Sequence, residues 1–314
     1  MRAAATVLID PSQFPEALQA DLVASLRTRQ VNQKFHYMTY RQAEQWLALH
    51  EAYSPARKDA DCKAIYDKAF AAAGKLSVSE VIGLGCGGGQ KDARLLAKLA
   101  RKNAHYTPVD ASLPLVLSAR ANALEHLPEE RIRPGVVCDL GTASGLAFEG
   151  APRLMTFFGM LPNFEPNDII PRVSGLLARG DFLLCSANLA PGADYAKGVQ
   201  QVLPQYENAL TNDWLMTFLL DLGIEKDAGN IEWKIEPSAG LFRITAHFRF
   251  DSAAEITYAN NHFKFSTGDS IRLFFSYRYT PYLLEKMLAA QGLHTKTQWT
   301  TRSGEEAVFL CQKG

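Results

Sequence analysis

The chain has 314 residues, of which 47% are hydrophobic and 21% are charged, and these fractions argue against a mainly disordered protein. Its 33 Lys and Arg residues balance its 33 Asp and Glu residues, so it lacks the cationic excess that is typical of nucleic-acid-binding proteins. The length predicts one large domain or two closely associated domains.

Cysteine usage indicates a reducing compartment. The five cysteines are odd in number and widely spaced, which predicts reduced, buried thiols and neither a disulfide framework nor a zinc site. No apolar run approaches the roughly 20 residues of a membrane helix. The N-terminal stretch MRAAATVLIDP indicates an ordinary start and not a signal peptide. We therefore expect a cytoplasmic protein with no bound metal, no membrane association, no nucleic-acid partner and no obligate protein partner.

The first segment of the chain, residues 1–58, shows helical periodicity and no strand pattern. Apolar residues recur at helical spacing over 14–30 and again over 41–52, where the helix ends before Pro55. A third helix is predicted over 57–74. We expect this helical segment to pack against a substrate-binding domain.

Strands and helices alternate from residue 81 onwards. The predicted strands end at Ile82, Val109, Cys138, Gly159 and Cys185, and a helix follows most of them. This alternation predicts a parallel sheet with right-handed crossovers and helices on both faces, in the α/β class.

The pattern changes again after Pro191. Residues 195–222 appear helical with a break near Pro204, and residues 230–279 predict an antiparallel meander. The chain ends with a helix and two strands that could complete the parallel sheet. These features divide the sequence into a sheet domain, 59–193 with 276–314, and an inserted α+β domain, 194–275.

A glycine-rich loop follows the first strand of the sheet. Gly83, Gly85 and Gly88 match the dinucleotide-binding fingerprint, in which glycines let the backbone turn sharply and approach a ligand closely. The motif alone leaves two ligands open, a nicotinamide or flavin dinucleotide and S-adenosylmethionine (SAM).

Three further features at strand ends favour the methyl donor. Asp110 ends the second strand, where an acid can accept hydrogen bonds from both ribose hydroxyls, and Asp139 ends the third strand, near the expected adenine rim. Asn163 follows the fourth strand, beside the expected position of a reactive methyl group. Ligands of open α/β sheets bind at the carboxyl ends of the strands, so these side chains are predicted to share one site.

The runs GLGCGGGQKDARLL, YTPVDAS, VVCDL and FFGMLPNF together resemble the SAM-dependent histidine-specific Nα-methyltransferases, the family that makes trimethylhistidine for ergothioneine. The resemblance extends from about residue 34 to residue 309. It implies a class I methyltransferase fold with an inserted substrate-binding domain, SAM as cofactor, and a small amine or amino acid as substrate. The candidate cofactor-binding residues are the loop glycines and the positions that match family SAM contacts: Gly83, Gly85, Gly87, Lys91, Asp110, Cys138 and Asp139.

The same resemblance assigns residues to the methyl acceptor. Tyr37 and Asn163 are the candidate catalytic residues, because they match family positions that orient the amino acid's backbone groups. Tyr53 matches the first tyrosine of a family Tyr-Tyr-Pro element, and Tyr206 matches the tyrosine that contacts the carboxylate.

One departure from the family concerns the side chain of the acceptor. The family holds the imidazole of histidine with a Glu-x-Ser pair, and the aligned residues here are Phe274 and Ser276. Residues two apart on a strand share a face, so both should line one pocket, but phenylalanine cannot accept a hydrogen bond from an imidazole N–H. The sequence therefore predicts an amine methyltransferase whose substrate is not histidine. The alternatives are a dinucleotide-dependent oxidoreductase and a SAM-binding protein without activity.

Overall fold

The computed structural model describes residues 4–54 and 58–314. Pro55 and the predicted start of the third helix at residue 57 lie outside the described residues. The helices with described boundaries are α1 (Pro15–Thr28), α2 (Tyr40–Tyr53), α3 (Ala60–Ala73), α4 (Gln90–Leu99), α5 (Leu113–Ala123), α6 (Pro166–Leu176), α7 (Tyr195–Val202), α8 (Ala209–Asp221) and α9 (Pro281–Ala289).

A central sheet of eight strands organises the molecule, in the order β1-β4-β3-β2-β5-β6-β13-β12. These strands are β1 (Val7–Ile9), β2 (Glu80–Leu84), β3 (His105–Asp110), β4 (Gly135–Val137), β5 (Arg153–Phe157), β6 (Phe182–Asn188), β12 (Leu293–Thr300) and β13 (Glu306–Lys313). The first six run parallel, whereas β13 is antiparallel to both β6 and β12. The predicted α/β class I methyltransferase sheet is thus confirmed, and the last two strands complete it.

The sheet is buried on both faces. Val81 packs into one core cluster and its neighbour Ile82 packs into the other, because successive side chains of a strand point to opposite faces. Helices α3 and α4 cover the first face through residues such as Phe70 and Leu96. This double burial explains why the parallel strands are nearly continuous apolar runs.

The prediction that residues 1–58 contain no strand is wrong. Val7–Ile9 forms β1, which pairs in parallel with β4 at the edge of the central sheet. Three residues are too few to show period-2 alternation, and both Leu8 and Ile9 remain more than half exposed, so the sequence carries no burial pattern there.

The block after Pro191 forms a separate layer. Its strands are β7 (Gly229–Ser238), β8 (Leu241–Phe250), β9 (Ala254–Tyr258), β10 (Asn261–Phe265) and β11 (Ser270–Arg278). The predicted continuous meander is wrong in one respect. Strands β9 and β10 form their own hairpin, while β11 returns to pair with β8 in a three-stranded sheet, β11-β8-β7. The predicted domain boundary at 275/276 falls inside β11.

The N-terminal helical segment packs against this second layer. Leu22 and Leu26 of α1 share a core cluster with Phe218 of α8 and Phe248 of β8. His36 is fully buried in the same region. Burial lowers the pKa of His36 to about 4, so the ring is neutral at pH 7 and its Nε2 donates a hydrogen bond to Leu273 O, 2.7 Å away. This hydrogen bond fixes the backbone that positions Tyr37, the next residue in the sequence.

Among the described residues, no helix is both long enough and apolar enough to cross a membrane.

Candidate functional site

A cavity of about 780 Å³ opens at the carboxyl ends of the parallel strands, between the central sheet and the second layer. This volume lies in the range that is typical of small-molecule and cofactor sites. The predicted site residues that line the cavity are Tyr37, Tyr53, Gly85, Gly87, Lys91, Asp110, Cys138, Asp139, Asn163, Tyr206, Phe274 and Ser276.

The glycine loop forms the floor of the cavity. Gly85 and Gly87 have φ values of +56° and +54°, a conformation that side chains rarely adopt. A Cβ at Gly85 would lie 2.6 Å from Met160 Cγ, and one at Gly87 would lie 2.7 Å from the ring of Trp46. Glycine at both positions therefore permits a left-handed backbone and lets Met160 and Trp46 approach the loop closely.

Gly83 is the one predicted cofactor-binding residue that does not line the cavity. Its missing side chain makes room for the buried Asp92, whose Oδ2 would lie 2.3 Å from a Cβ at this position. Tyr106 and Thr156 each donate a 2.7 Å hydrogen bond to the Asp92 carboxylate. The missing side chain of Gly83 thus serves the packing of α4 against β2, and its role in cofactor binding stays a prediction.

Asp110 is buried at the end of β3, as the sequence indicated. Its Oδ2 accepts from Gly87 N at 2.9 Å and its Oδ1 accepts from Ser112 N at 3.0 Å. Burial raises the pKa of Asp110 to about 6, although these backbone hydrogen bonds oppose the shift. No ion pair within the described residues includes this carboxylate, and each oxygen keeps a lone pair for a hydroxyl donor. This acceptor set fits a ribose diol.

We expect Asp110→Asn to weaken the binding of S-adenosylhomocysteine (SAH) by about ten- to a hundredfold, because a hydrogen bond to a charged group contributes about 1.5–3 kcal/mol. Since protonation turns one acceptor oxygen of the carboxylate into a donor and removes its charge, SAH affinity of the wild-type protein should fall as the pH drops below about 6. Isothermal titration calorimetry from pH 5 to 8 would measure both effects. An Asn variant with the same pH dependence as wild type would show that another group is responsible.

Lys91 lies in the first turn of α4 and its ammonium group points along the cavity wall. Its Nζ donates to Tyr66 Oη at 2.9 Å and lies 4.6 Å from the centroid of the same ring. The Tyr66 hydroxyl also hydrogen-bonds to Glu306, which accepts in addition from Cys62 Sγ at 3.2 Å. Lys91 is thus held in place by a neutral phenol and remains available to a carboxylate in the cavity.

Cys138 and Asp139 lie where β4 ends. The Asp139 carboxylate is already engaged, because its Oδ1 accepts from Gly141 N at 2.8 Å and its Oδ2 forms a 3.0 Å ion pair with the buried Lys34. Lys34 also pairs with Asp21 at 2.5 Å. Asp139 therefore connects the cavity to the N-terminal segment.

These residues fit SAM as a cofactor. The ribose hydroxyls would bind the unpaired carboxylate of Asp110, and the methionine carboxylate would bind Lys91. The turned backbone at Gly85 and Gly87 leaves space for a closely packed ligand. The cavity is also large enough for a second, smaller molecule beside it.

Tyr37 lines the cavity. Its ring packs against Trp46 and Trp214, with centroids 5.8 and 5.4 Å apart. Burial and the negative charge of Asp110 raise the pKa of Tyr37 above its usual value of 10. The phenol therefore keeps its proton at neutral pH and can donate one directed hydrogen bond to a ligand.

Asn163 ends a short 3₁₀ turn after β5. The residue preceding α6 is Glu165, so Asn163 does not cap this helix. Its Nδ2 instead donates to Gln33 Oε1 at 3.1 Å, and Gln33 Nε2 donates to Phe275 O at 2.7 Å. These two hydrogen bonds hold the Asn163 side chain at the cavity wall. Its carbonyl oxygen can then accept a hydrogen bond from another donor.

The face of β11 that carries Phe274 and Ser276 forms the far wall. Phe274 is 93% buried and contacts the rings of Tyr206, Trp214 and Trp233 at centroid distances of 6.1, 6.0 and 6.2 Å. We call these four residues the aromatic wall. Tyr206 also donates from its hydroxyl to Ser276 Oγ at 3.0 Å. Tyr53, the last residue of α2, is half exposed and lies at the rim of the cavity.

Several residues that contribute to the site were not predicted from the sequence, including Trp214 and Trp233 of the aromatic wall. Gln33 and Lys34 support Asn163 and Asp139, Trp46 covers Gly87, and Arg278 donates to Tyr206 Oη at 2.7 Å. Only Arg278 had a usable signal, since it follows Ser276 by two residues on the same strand face. The others reach the cavity through contacts between distant segments.

A family model described as histidine-specific, SAM-dependent methyltransferase matches residues 18–313. Solved structures that resemble the chain include a SAM-dependent methyltransferase from Clostridium acetobutylicum, with 16% identity, coverage of 86% of this chain and 98% of that chain, and a TM-score of 0.48. Another is magnesium protoporphyrin IX methyltransferase from Synechocystis PCC 6803 with bound SAH, with 14% identity, coverage of 90% and 98%, and a TM-score of 0.49. A third is 1,6-didemethyltoxoflavin-N1-methyltransferase from Burkholderia thailandensis, with 14% identity, coverage of 87% and 88%, and a TM-score of 0.42.

A search of curated protein sequences found no match. The family model covers almost the whole chain, including the glycine loop, both cavity walls and the final strands. The chain therefore belongs to the histidine-specific, SAM-dependent methyltransferase family.

Proposed function

We propose that this methyltransferase transfers a methyl group from SAM to the amine of an amino acid or a related small molecule, and that the preferred acceptor is not histidine. The observation that carries the proposal is the aromatic wall. Phe274 occupies the position where the family resemblance implies an imidazole-binding glutamate, and it packs among Tyr206, Trp214 and Trp233. A surface of this kind favours an apolar or aromatic side chain on the acceptor.

Bound SAM supplies an activated methyl group, so the protein has to position the acceptor, exclude water and receive an unprotonated amine. Asn163 offers its side-chain carbonyl to an amine N–H, and the protonated phenol of Tyr37 offers a hydrogen-bond donor. Both groups are held by neighbouring side chains, which keeps the acceptor in one orientation.

Among the described residues, no acid or histidine forms a hydrogen bond with Tyr37 or Asn163 that could make it their general base. The raised pKa of Tyr37 argues against a phenolate at neutral pH. We therefore infer that the acceptor amine loses its proton to water before or during transfer. The rate should then rise with pH as the free amine becomes populated.

Turnover tests the proposal directly. Purified protein is incubated with SAM and a panel of amino acids and amines, and SAH formation and the mass of each acceptor are recorded. We expect methylation of an amine that carries an apolar or aromatic side chain, and slow or undetectable methylation of histidine. If NADH but neither SAM nor SAH binds in calorimetry, the alternative of a dinucleotide oxidoreductase is favoured.

Two substitutions test the acceptor side separately from the cofactor side. Asn163→Ala and Tyr206→Phe should each lower turnover about tenfold or more, because each removes a polar group beside the acceptor, while SAH affinity should change little. Tyr282→Phe is a matched control, since Tyr282 is 71% exposed and lies outside the cavity lining. A parallel loss of SAH affinity in both acceptor-side variants would contradict this layout.

A further inference from the structure

Arg278 is the last residue of β11, and it points to the same side of the strand as Ser276. It lines the cavity, yet only 4% of its surface is exposed. A guanidinium keeps its positive charge at any physiological pH, so the substrate cavity contains a deeply buried, permanent cation.

The contacts of this guanidinium are all neutral. Its Nη2 donates to Tyr206 Oη at 2.7 Å and its Nη1 donates to Leu189 O at 3.2 Å. Its Nε is buried and has no hydrogen-bond partner in the described part of the chain. None of the ion pairs found among residues 4–54 and 58–314 includes Arg278.

Two other arginines with little exposed side chain differ in this respect. Arg153 is 11% exposed at its side chain and pairs with Asp181 at 2.6 Å. Arg243 is 13% exposed and pairs with Glu165 at 2.9 Å. Burying a charge is costly unless it is paired and hydrogen-bonded, and the protein meets this requirement at both positions. At Arg278 the anionic partner is missing from the described residues.

The neighbouring hydroxyls are oriented by this cation. Tyr206 Oη accepts from Arg278 and donates its single proton to Ser276 Oγ. The Tyr206 hydroxyl therefore has no second proton to donate. It can donate to a ligand only if its hydrogen bond to Ser276 breaks. The unused N–H groups of the guanidinium are the stronger donors available on this wall, and their planar arrangement suits a carboxylate.

We propose that Arg278 determines substrate class by binding a carboxylate of the methyl acceptor. This inference rests on the proposed function, and it restricts the acceptor to amines that also carry an acid group. The carboxylate would complete the missing ion pair against Arg278, while the amine lies towards Asn163 and Tyr37. A simple amine would leave the buried cation unpaired and should bind weakly.

The test measures binding of acceptor-like probes to the full-length protein saturated with SAH, by calorimetry and thermal shift. The first pair of probes is acetate and acetamide, which are small enough to be independent of the side-chain pocket. The second set is L-phenylalanine, L-phenylalaninamide and 4-(2-aminoethyl)benzoate. Phenylalanine carries the acid beside the amine, the benzoate carries it at the far end of the ring, and the amide carries none.

We expect acetate to bind more tightly than acetamide, and at least one of the two aromatic acids to bind about ten- to a hundredfold more tightly than phenylalaninamide. The better aromatic acid identifies whether the carboxylate is adjacent to the amine or distal to it. Equal affinity of acids and their uncharged analogues in the wild-type protein would overturn the inference without reference to any variant.

Arg278→Met should remove the preference for acids, and Arg278→Lys should keep part of it because the charge remains without the planar donor set. Arg249→Met is the matched control, since Arg249 lies on the adjacent strand β8 with half of its side chain exposed. An acid preference that survives in Arg278→Met would also overturn the inference. Failure of SAH itself to bind would instead count against the proposed function.

Discussion

Phe274→Glu is expected to shift acceptor preference towards histidine by ten- to a hundredfold at most. The new carboxylate would lie two residues from Ser276 on the same strand face, where it can accept a hydrogen bond from an imidazole N–H. Such a bond to a charged group contributes about 1.5–3 kcal/mol, which sets this ceiling. The ratio of kcat/KM values for histidine and for the best apolar amino acid measures the shift.

The same substitution should cost stability. Phe274 is buried among the rings of Tyr206, Trp214 and Trp233, and removal of a buried phenylalanine ring typically costs about 3–5 kcal/mol. Urea-induced unfolding measures this loss. Phe274→Leu is the control, because it disturbs the ring contacts without adding a charge and should leave histidine a poor substrate.

Efficient methylation of histidine by the unmodified protein, at micromolar substrate, would contradict the argument from Phe274. It would show that another group in the cavity binds the imidazole. The carboxylates of Glu165 and Glu305 also line the cavity, and substitution of each by glutamine would then identify that group.

The second large effect is expected at Gly89, the N-cap of α4. Its φ is +75°, and a Cβ there would lie 2.5 Å from Ala119 Cα, part of the α5 backbone. A left-handed conformation costs a non-glycine residue about 1–2 kcal/mol, and overpacking adds about 1–3 kcal/mol. We expect Gly89→Ala to lower the free energy of unfolding by about 2–5 kcal/mol and to weaken SAH binding, because relief of the overlap displaces the start of α4.

Gly145 provides a matched control for this change. Its φ is +76°, and a Cβ added there meets nothing within 4 Å. Gly145→Ala should therefore lose only the conformational contribution of about 1–2 kcal/mol. Urea unfolding of both variants separates the two effects. Equal losses of unfolding free energy in the two variants would show that a Cβ at position 89 is accommodated beside Ala119 without an energetic cost.

The central sheet could be predicted because the sequence signals for each of its parallel strands lie within that strand and the turn that follows it. Each parallel strand is a short apolar run that ends in a turn, and right-handed crossovers restrict how such units assemble. The carboxyl ends of these strands must then meet at one edge, so Asp110, Asp139 and Asn163 could be assigned to a common site from their positions alone.

The glycine loop shows that a sequence motif does not determine which glycines adopt a left-handed conformation. The fingerprint matched Gly83, Gly85 and Gly88, but the left-handed conformations occur at Gly85, Gly87 and Gly89. Five glycines lie close together in this loop, and the motif does not show which of them need a left-handed backbone. Only the packing of Asp92, Trp46 and Ala119 decides which glycine is required, and for what reason.

The acceptor side of the cavity depended on tertiary structure. The register of β11 against β8 shifts between Arg272 and Phe274, and such an irregularity redirects the side chains that follow it. Strand periodicity correctly placed Phe274 and Ser276 on one face. It could not show that Arg278 is buried with no anionic partner in the part of the chain that the structure describes, because an ion pair depends on residues from distant segments.

The sequence by itself determined the parallel sheet, the strand ends that line the cavity, and the position of Phe274 and Ser276 on one strand face. These properties follow from spacing along one segment of chain. The tertiary structure alone decided the edge strand β1, the pairing of β11 with β8, the support of Asp139 by Lys34, and the unpaired charge of Arg278. Each of these depends on contacts between segments that are far apart in sequence, and local periodicity carries no record of such contacts.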